Sequence, residues 1–252
     1  MQIIAHRGAS SLAPENTLKA IRLALELGAP AIEIDVQQAD GELWVFHDRR
    51  LERCTNGHGV LSRQRADYLH GLDAGEGEPI PLLWQVMTLL KGRCELHIEL
   101  KGSDTAEGVA ALTRRAERDL GFTPDQWLIS SFHHPELARF GALRPEIRLG
   151  ALIANRPLAF SHAAEALNAW SLNCDLDFVD EALVRDAHDR GFKVLIYTVD
   201  QLEDARQLHE WGVDGIFTNS PERMLQDPEL GQNATDHENK GVEGIKKPEI
   251  GR

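Results

Sequence analysis

Short apolar runs alternate with longer stretches of helical period along most of the chain. The runs cover residues 3–5, 31–36, 96–100, 127–131, 148–153, 171–174, 193–199 and 215–218, which makes eight candidate strands. Between most of them, apolar residues recur every three or four positions, as on one face of a helix. Leu18, Ile21 and Leu25 are followed by Gly28 as a stop signal. Leu202, Ala205, Leu208 and Trp211 run to Gly212, with Asp200 and Glu203 at capping-box spacing. Residues 181–190 read as a further helix closed by Gly191. Strands alternating with helices predict right-handed βαβ units and a parallel sheet. Eight such units close into a (β/α)8 TIM barrel, for which the 252-residue length is ordinary. The rival, an open doubly wound sheet, lacks its glycine-rich G-x-G-x-x-G turn after the first strand.

The rhythm breaks once. Asp40-Gly41 is a hairpin signal, so residues 43–46 read as an extra strand outside the barrel. The stretch from there to about Pro81 reads as irregular. Residues of about 37–81 are therefore a small insertion after the second strand rather than a separate domain. From about Gln226 the chain turns polar, rich in Gly, Glu and Lys, without period. The expected layout is one barrel domain over 1–225 and a flexible tail over 226–252.

Composition narrows the partners. A 42% hydrophobic, 27% charged chain is ordinary for a globular protein. A net charge of −13 argues against nucleic acid or an anionic membrane surface as the main partner, because counterion release needs a basic face. It leaves room for an anionic substrate, since a bound metal ion reverses the field inside one pocket. The three cysteines, Cys54, Cys94 and Cys174, are far apart and suit free thiols in a reducing compartment. The start shows no secretory signal, and no apolar run is long enough for stable membrane insertion. The expectation is a cytoplasmic protein, with its oligomeric state open.

Candidate chemistry follows from strand alternation. In Ile32-Glu33-Ile34-Asp35-Val36 the carboxylates share one face and the aliphatic residues the other. If the aliphatic face packs on helices, Glu33 and Asp35 point into the barrel. His97-Ile98-Glu99-Leu100-Lys101 repeats the pattern on the next barrel strand. Three inward carboxylates repel unless a cation sits among them, and all-oxygen ligation suits Mg²⁺ or Ca²⁺. A structural ion-pair network with Lys101 and Arg7 explains the spacing equally well. His6 and Arg7 end the first strand, at the face where barrel active sites lie. His47 ends the inserted strand and can fold back over the mouth. Arginine grips phosphate oxygens, lysine adds a point charge, and histidine passes protons near neutral pH. Tyr197 ends the seventh barrel strand and reads as a pocket wall. Pro14–Thr17 most simply opens the first helix, with its acid at the positive dipole end. His97 reads as a hydrogen-bonded barrel residue and His133-His134 as a solvated loop pair.

Five motifs in order resemble the glycerophosphodiester phosphodiesterase family, and most closely its short bacterial cytosolic members. They are His6-Arg7-Gly8, Pro14-Glu15-Asn16-Thr17, Glu33-Ile34-Asp35, Asp40-Gly41 with His47-Asp48, and Glu99-Leu100-Lys101. Tyr197-Thr198-Val199 and Gly212-Val213-Asp214-Gly215 also match. The resemblance implies hydrolysis of glycerophosphodiesters to sn-glycerol 3-phosphate and an alcohol. It implies His6 and His47 as the acid–base pair, Glu33, Asp35 and Glu99 as ligands of a divalent cation, and Arg7 and Lys101 as phosphate binders. Tyr197 stands where many members carry Trp, Asn219 where many carry Asp, and His97 where a small polar residue is common; these departures bear on substrate preference. Alternatives on the same framework are a lysophospholipase D or sphingomyelinase D-like activity, marked by an apolar rim, and a non-catalytic glycerophosphodiester-binding barrel. For lipid docking, the insertion over 49–81 reads as too polar. A magnesium-dependent enolising enzyme would leave the paired histidines with Arg7 unexplained.

Overall fold

The alternation becomes a closed barrel. A computed structural model describes residues 1–230. In chain order the strands are β1 Gln2–His6, β2 Ala31–Ala39, β3 Glu42–Val45, β4 Glu95–Leu100, β5 Trp127–Ser131, β6 Arg148–Ile153, β7 Ser171–Asp175, β8 Lys193–Tyr197 and β9 Gly215–Thr218. Apart from β3, each pairs in parallel with its neighbours, and β1 joins both β9 and β2 to close the ring of eight. The extra strand β3 runs antiparallel to the C-terminal extension of β2, Val36 against Val45. The hairpin turn at Asp40-Gly41 has positive φ at both residues, 49° and 80°, as the turn signal requires.

Side-chain period sorts the strands into two cores. Ile32, Ile34 and Val36 of β2 and Leu96, Ile98 and Leu100 of β4 pack outward with helix residues such as Ile21, Val86 and Val109. Each such side chain contributes about 1.5–3 kcal/mol when fully buried. Ile4, Ala31, Leu128, Leu195 and Phe217 form a second cluster inside the ring. Charged residues occupy the next inward level: Ile4 pairs with Ala31, and His6, two residues on, with Glu33. The apolar plug therefore forms a floor beneath the charged layer.

The insertion is more ordered than its composition suggests. Two 3-10 turns, Leu51–Arg53 and Leu61–Arg63, and a short helix, Ala66–His70, follow β3. Trp44, Phe46, Leu51, Leu61, Leu69 and Ile80 form its own core. Turns this short have no period to read, which is why the sequence reads as irregular there. All three cysteines are free thiols. Of the expected tail, Asp227 pairs with Arg206 at 2.8 Å and Leu230 is buried; residues 231–252 lie outside the described residues.

Two helix starts differ from expectation. The helix Leu18–Glu26 is capped by Thr17, whose hydroxyl accepts from the Ala20 N–H at 3.2 Å, and no acid sits in its first turn. The helix Leu202–Glu210 has no side-chain cap. Glu15, Asn16 and Asp200 spend their side chains on the barrel mouth instead.

Candidate active site

Strand register sets the charged layer. Asp35 stands opposite Glu99 across β2 and β4, and His6 opposite Glu33 across β1 and β2. Glu33, Asp35 and Glu99 each offer an oxygen within 4.8 Å of the others'. Their exposures of 4%, 0% and 9% put all three largely out of water. Lys101 Nζ lies 2.9 Å from Glu99 Oε1 and 3.6 Å from Asp35 Oδ1, and Arg7 Nε lies 3.2 Å from Asp35 Oδ2. The Asn16 amide donates to Asp35 Oδ2 at 2.8 Å.

The turn after β1 makes this possible. Arg7 takes a φ of 59° and Gly8 one of 83°. A Cβ on Gly8 would lie 2.6 Å from the Ala20 carbonyl carbon, so only glycine lets the loop close against the first helix. The turn aims the Arg7 N–H at Glu33 Oε2, 3.0 Å away.

Two cations do not balance three buried carboxylates. Burial, then Asp35 and Glu99, push the Glu33 carboxyl well above its ordinary range. Burial, then Asp35, raise Glu99 to about 7. At Asp35 burial also acts upward, but Lys101 and Arg7 outweigh it and keep the group ionised. Asp35 Oδ1 accepts no hydrogen bond among the described residues. The cluster is thus one cation short, and its all-oxygen donors fit a hard divalent ion. An ion-pair network accounts for Asp35 and Glu99 but leaves Glu33 with a backbone N–H and His6 Nε2 at 3.9 Å.

Each histidine is oriented by a chain of partners. His6 Nδ1 lies 2.8 Å from Asn219 Oδ1. That amide is fixed because its Nδ2 donates to Asp200 Oδ2 at 2.7 Å and Ser10 donates to its oxygen at 2.9 Å. Nδ1 therefore carries the proton and Nε2 is the free basic nitrogen. Burial, then Arg7, lower His6 to about 4, so the ring is neutral at ordinary pH. His47 Nδ1 lies 2.6 Å from Asp48 Oδ1. Asp48 takes two hydrogen bonds from Arg53, at 2.5 and 2.8 Å, which hold its carboxyl far below the usual range. The same guanidinium donates twice to Glu15 at 2.8 Å, and Glu15 accepts from Arg7 at 2.8 Å. One continuous chain thus joins His47 to Asp35.

All eight predicted site residues meet here. His6, Arg7, Glu33, His47, Glu99, Lys101 and Tyr197 line one pocket of about 210 Å³, and Asp35 lies directly behind them. Tyr197 donates its hydroxyl to the Ile153 carbonyl at 2.7 Å and meets Phe132 edge to face at 5.8 Å. A larger groove of about 820 Å³ leads away between insertion and barrel, lined by Gln38, Asp40, Arg49, Ser103 and Asp104. His133 also lines it; the residue is exposed, and its Nδ1 accepts from the Glu136 N–H at 3.2 Å, capping the helix that follows. His97 is buried, with Nε2 3.4 Å from Glu95. Sequence reasoning missed Arg53, Asp200 and Phe132. Asp200 carries the signal of a helix cap, and Arg53 and Phe132 carry no periodic signal.

A (β/α)8 barrel that gathers carboxylates, cations and two oriented histidines at its C-terminal mouth has the build of an enzyme site. The family model for the glycerophosphoryl diester phosphodiesterase family matches residues 6–223, and the chain belongs to that family of enzymes. The glycerophosphodiester phosphodiesterase of Caldanaerobacter subterraneus subsp. tengcongensis is 35% identical over 88% of this chain and 96% of the relative. A Bacillus subtilis glycerophosphodiester phosphodiesterase is 30% identical over 87% of this chain and 83% of its own. An Oleispira antarctica phosphodiesterase, solved in complex with the product sn-glycerol-3-phosphate, superposes with a TM-score of 0.81. It is 33% identical, covering 88% of this chain and 94% of that one.

Proposed function

We propose that the protein hydrolyses water-soluble glycerophosphodiesters to sn-glycerol 3-phosphate and an alcohol, with His6 and His47 as acid–base pair. The observation that carries this reading is the placement of both histidines on one small pocket beside the carboxylate cluster. The product bound to the Oleispira relative supports the same substrate class. Arg7 and Lys101 supply the positive charge that holds the phosphate. Glu33, Asp35 and Glu99 would hold Mg²⁺ or Ca²⁺, which when bound acts as a Lewis acid on a non-bridging phosphate oxygen.

The two histidines divide the proton work. His6, neutral and with Nε2 free, takes a proton from the water whose oxygen bonds to phosphorus. His47 lines both the small pocket and the groove, so it stands where the leaving alcohol departs and gives that oxygen a proton. The glycerol phosphate fills the small pocket against the wall that Phe132 and Tyr197 form together, and the alcohol lies in the groove. The test is hydrolysis of glycerophosphocholine and glycerophosphoethanolamine in EDTA, Mg²⁺ and Ca²⁺. Release of glycerol 3-phosphate that depends on the divalent ion is the expected result. Binding without turnover under every metal would replace this reading with a non-catalytic barrel.

A further inference from the structure

The groove that leads away from the small pocket holds a cation without a partner. Among the described residues, Arg22, Arg49, Arg63 and Lys91 are the basic side chains that make neither an ion pair nor a hydrogen bond. An exposed arginine loses little by standing alone on a surface. Arg49 differs from the other three because it lines the groove, two residues beyond His47. In a chain of net charge −13, acids outnumber bases, and the neighbouring guanidinium groups of Arg7 and Arg53 each hold two carboxylates.

The groove offers a second free donor. Because His133 Nδ1 accepts from the Glu136 N–H, the neutral ring carries its proton on Nε2, which has no partner among the described residues. The acids along the groove are already engaged. Glu99 pairs with Lys101 at 2.9 Å, Asp40 accepts from the Ala66 N–H at 2.9 Å, and Asp104 faces Arg139 at 3.8 Å. Phe132 is the one phenyl ring in the lining, and the Lys101 ammonium lies 5.9 Å from its centre. An ammonium on the alcohol therefore meets a ring face already taken and carboxylates already engaged. Size points the same way. The groove is about 820 Å³ against about 210 Å³ for the pocket assigned to glycerol phosphate, so it has room for a unit at least that large.

The geometry points to substrates whose alcohol half carries an anion of its own, a phosphate or a carboxylate, with Arg49 as the residue that selects them. This inference rests on the phosphodiesterase reading above and narrows the substrates of that same site. The glycerol phosphate to be released sits in the small pocket, and the alcohol lies along the groove. Its anion meets the Arg49 guanidinium, whose planar fork suits carboxylate and phosphate oxygens, and the His133 Nε2–H adds a donor. Water's oxygen bonds to phosphorus, the phosphorus–oxygen bond to the alcohol breaks, and the alcohol leaves protonated with its own anionic group intact. The acidic surface as a whole repels such substrates, so a cation inside the groove is what offsets that field locally.

The experiment measures hydrolysis of two matched pairs, using the full chain with divalent ion. Glycerophosphoserine differs from glycerophosphoethanolamine by one carboxylate. Glycerophosphoglycerol phosphorylated on its outer glycerol differs from glycerophosphoglycerol by one phosphate. The readout is the ratio of kcat/KM within each pair, so a general loss of activity or of fold in a variant cancels. The wild-type protein favours the anionic member about tenfold, through KM, as a charge-assisted contact does. Arg49→Gln brings the ratio to about one or below, Arg49→Glu inverts it, and Arg49→Lys keeps part of it, as a point charge would. An Arg49-dependent preference in one pair or in both supports the inference and tells a phosphate from a carboxylate. A wild-type ratio at or below about one in both pairs would overturn it and leave the phosphodiesterase reading intact. So would a preference that Arg49→Gln does not change. Hydrolysis of no member of either pair would sink both.

Discussion

Removing a charge from the carboxylate cluster should stabilise the metal-free protein. Glu99 is raised from 4.5 to about 7, chiefly by burial and then by Asp35. Between those values the folded state binds more protons than the unfolded one, so stability falls as pH rises through the window. The full displacement corresponds to about 3 kcal/mol, at about 1.4 kcal/mol for each pH unit. In Glu99→Gln the amide keeps the shape and hydrogen-bonding capacity of the carboxyl but gives up the ion pair with Lys101, which retains Asp35 at 3.6 Å. The expected net gain for this variant in EDTA at pH 8 is therefore about 1–3 kcal/mol. At about 2–4 °C for each kcal/mol in a chain of this size, the melting temperature rises by several degrees. At pH 5 the two proteins melt nearly together, because Glu99 is already largely protonated in the fold. Saturating divalent ion reverses the order at pH 8, since binding to the native state alone adds RT ln(1 + [L]/Kd) to the wild type. The assay is thermal denaturation at the two pH values, with EDTA or with metal. A Glu99→Gln protein that melts below the wild type in EDTA at pH 8 would refute the argument. It would mean that the Lys101 pair holds the cluster without a third cation.

Other consequences follow from the histidines and their supports. His6→Ala and His47→Ala each lower kcat by about 10²–10⁴-fold with little change in melting temperature; near-wild-type turnover in either would remove that residue from the acid–base pair. Arg53→Gln lowers kcat and raises KM together, because it frees both Asp48 beneath His47 and Glu15 beneath Arg7. Arg53→Lys restores little, since a point charge cannot bridge two carboxylates bidentately; a change in KM alone would disconnect Arg53 from His47. Asn219→Ala releases the His6 ring and lowers kcat about tenfold or more at nearly constant KM, and unchanged kcat would show that the ring needs no such support.

Much of this is legible in the chain because a barrel strand displays its period openly. Ile32 and Ile34 have to face helices, which forces Glu33 and Asp35 inward; Ile98 and Leu100 do the same for Glu99 and Lys101. Register does the rest, since parallel pairing sets Asp35 beside Glu99. Loop residues offer no such constraint. Asp200 has the spacing of a helix cap, yet its carboxylate faces the Asn219 amide, Thr218 and the Asn219 N–H. A carboxylate ahead of a helix can cap it or turn toward the mouth, and the sequence looks the same in both cases. Glu15 and Asn16 mislead in the same way, because the tight turn at Arg7-Gly8 swings them over the mouth instead of leaving them at the helix end.

The proposed acid–base pair depends on two separate cores. His6 is carried by a barrel strand, held between the outer helices and the inner plug. His47 is carried by the insertion, whose small core is built on Trp44, Phe46 and Leu51. Gln37 of β2 helps join them, donating to the carbonyls of Phe46, His47 and Asp48 at 2.9, 3.2 and 2.7 Å. Arg53 joins them again from the other side through Glu15. Surface ion pairs are weak when isolated, but here one half-exposed guanidinium holds two carboxylates, each touching a different proposed functional side chain. A catalytic distance set by two cores needs such cross-ties, because a shift of about 1 Å between reacting groups can cost about 10²-fold in rate. The insertion therefore helps set the spacing of the proposed acid–base pair as well as walling the groove.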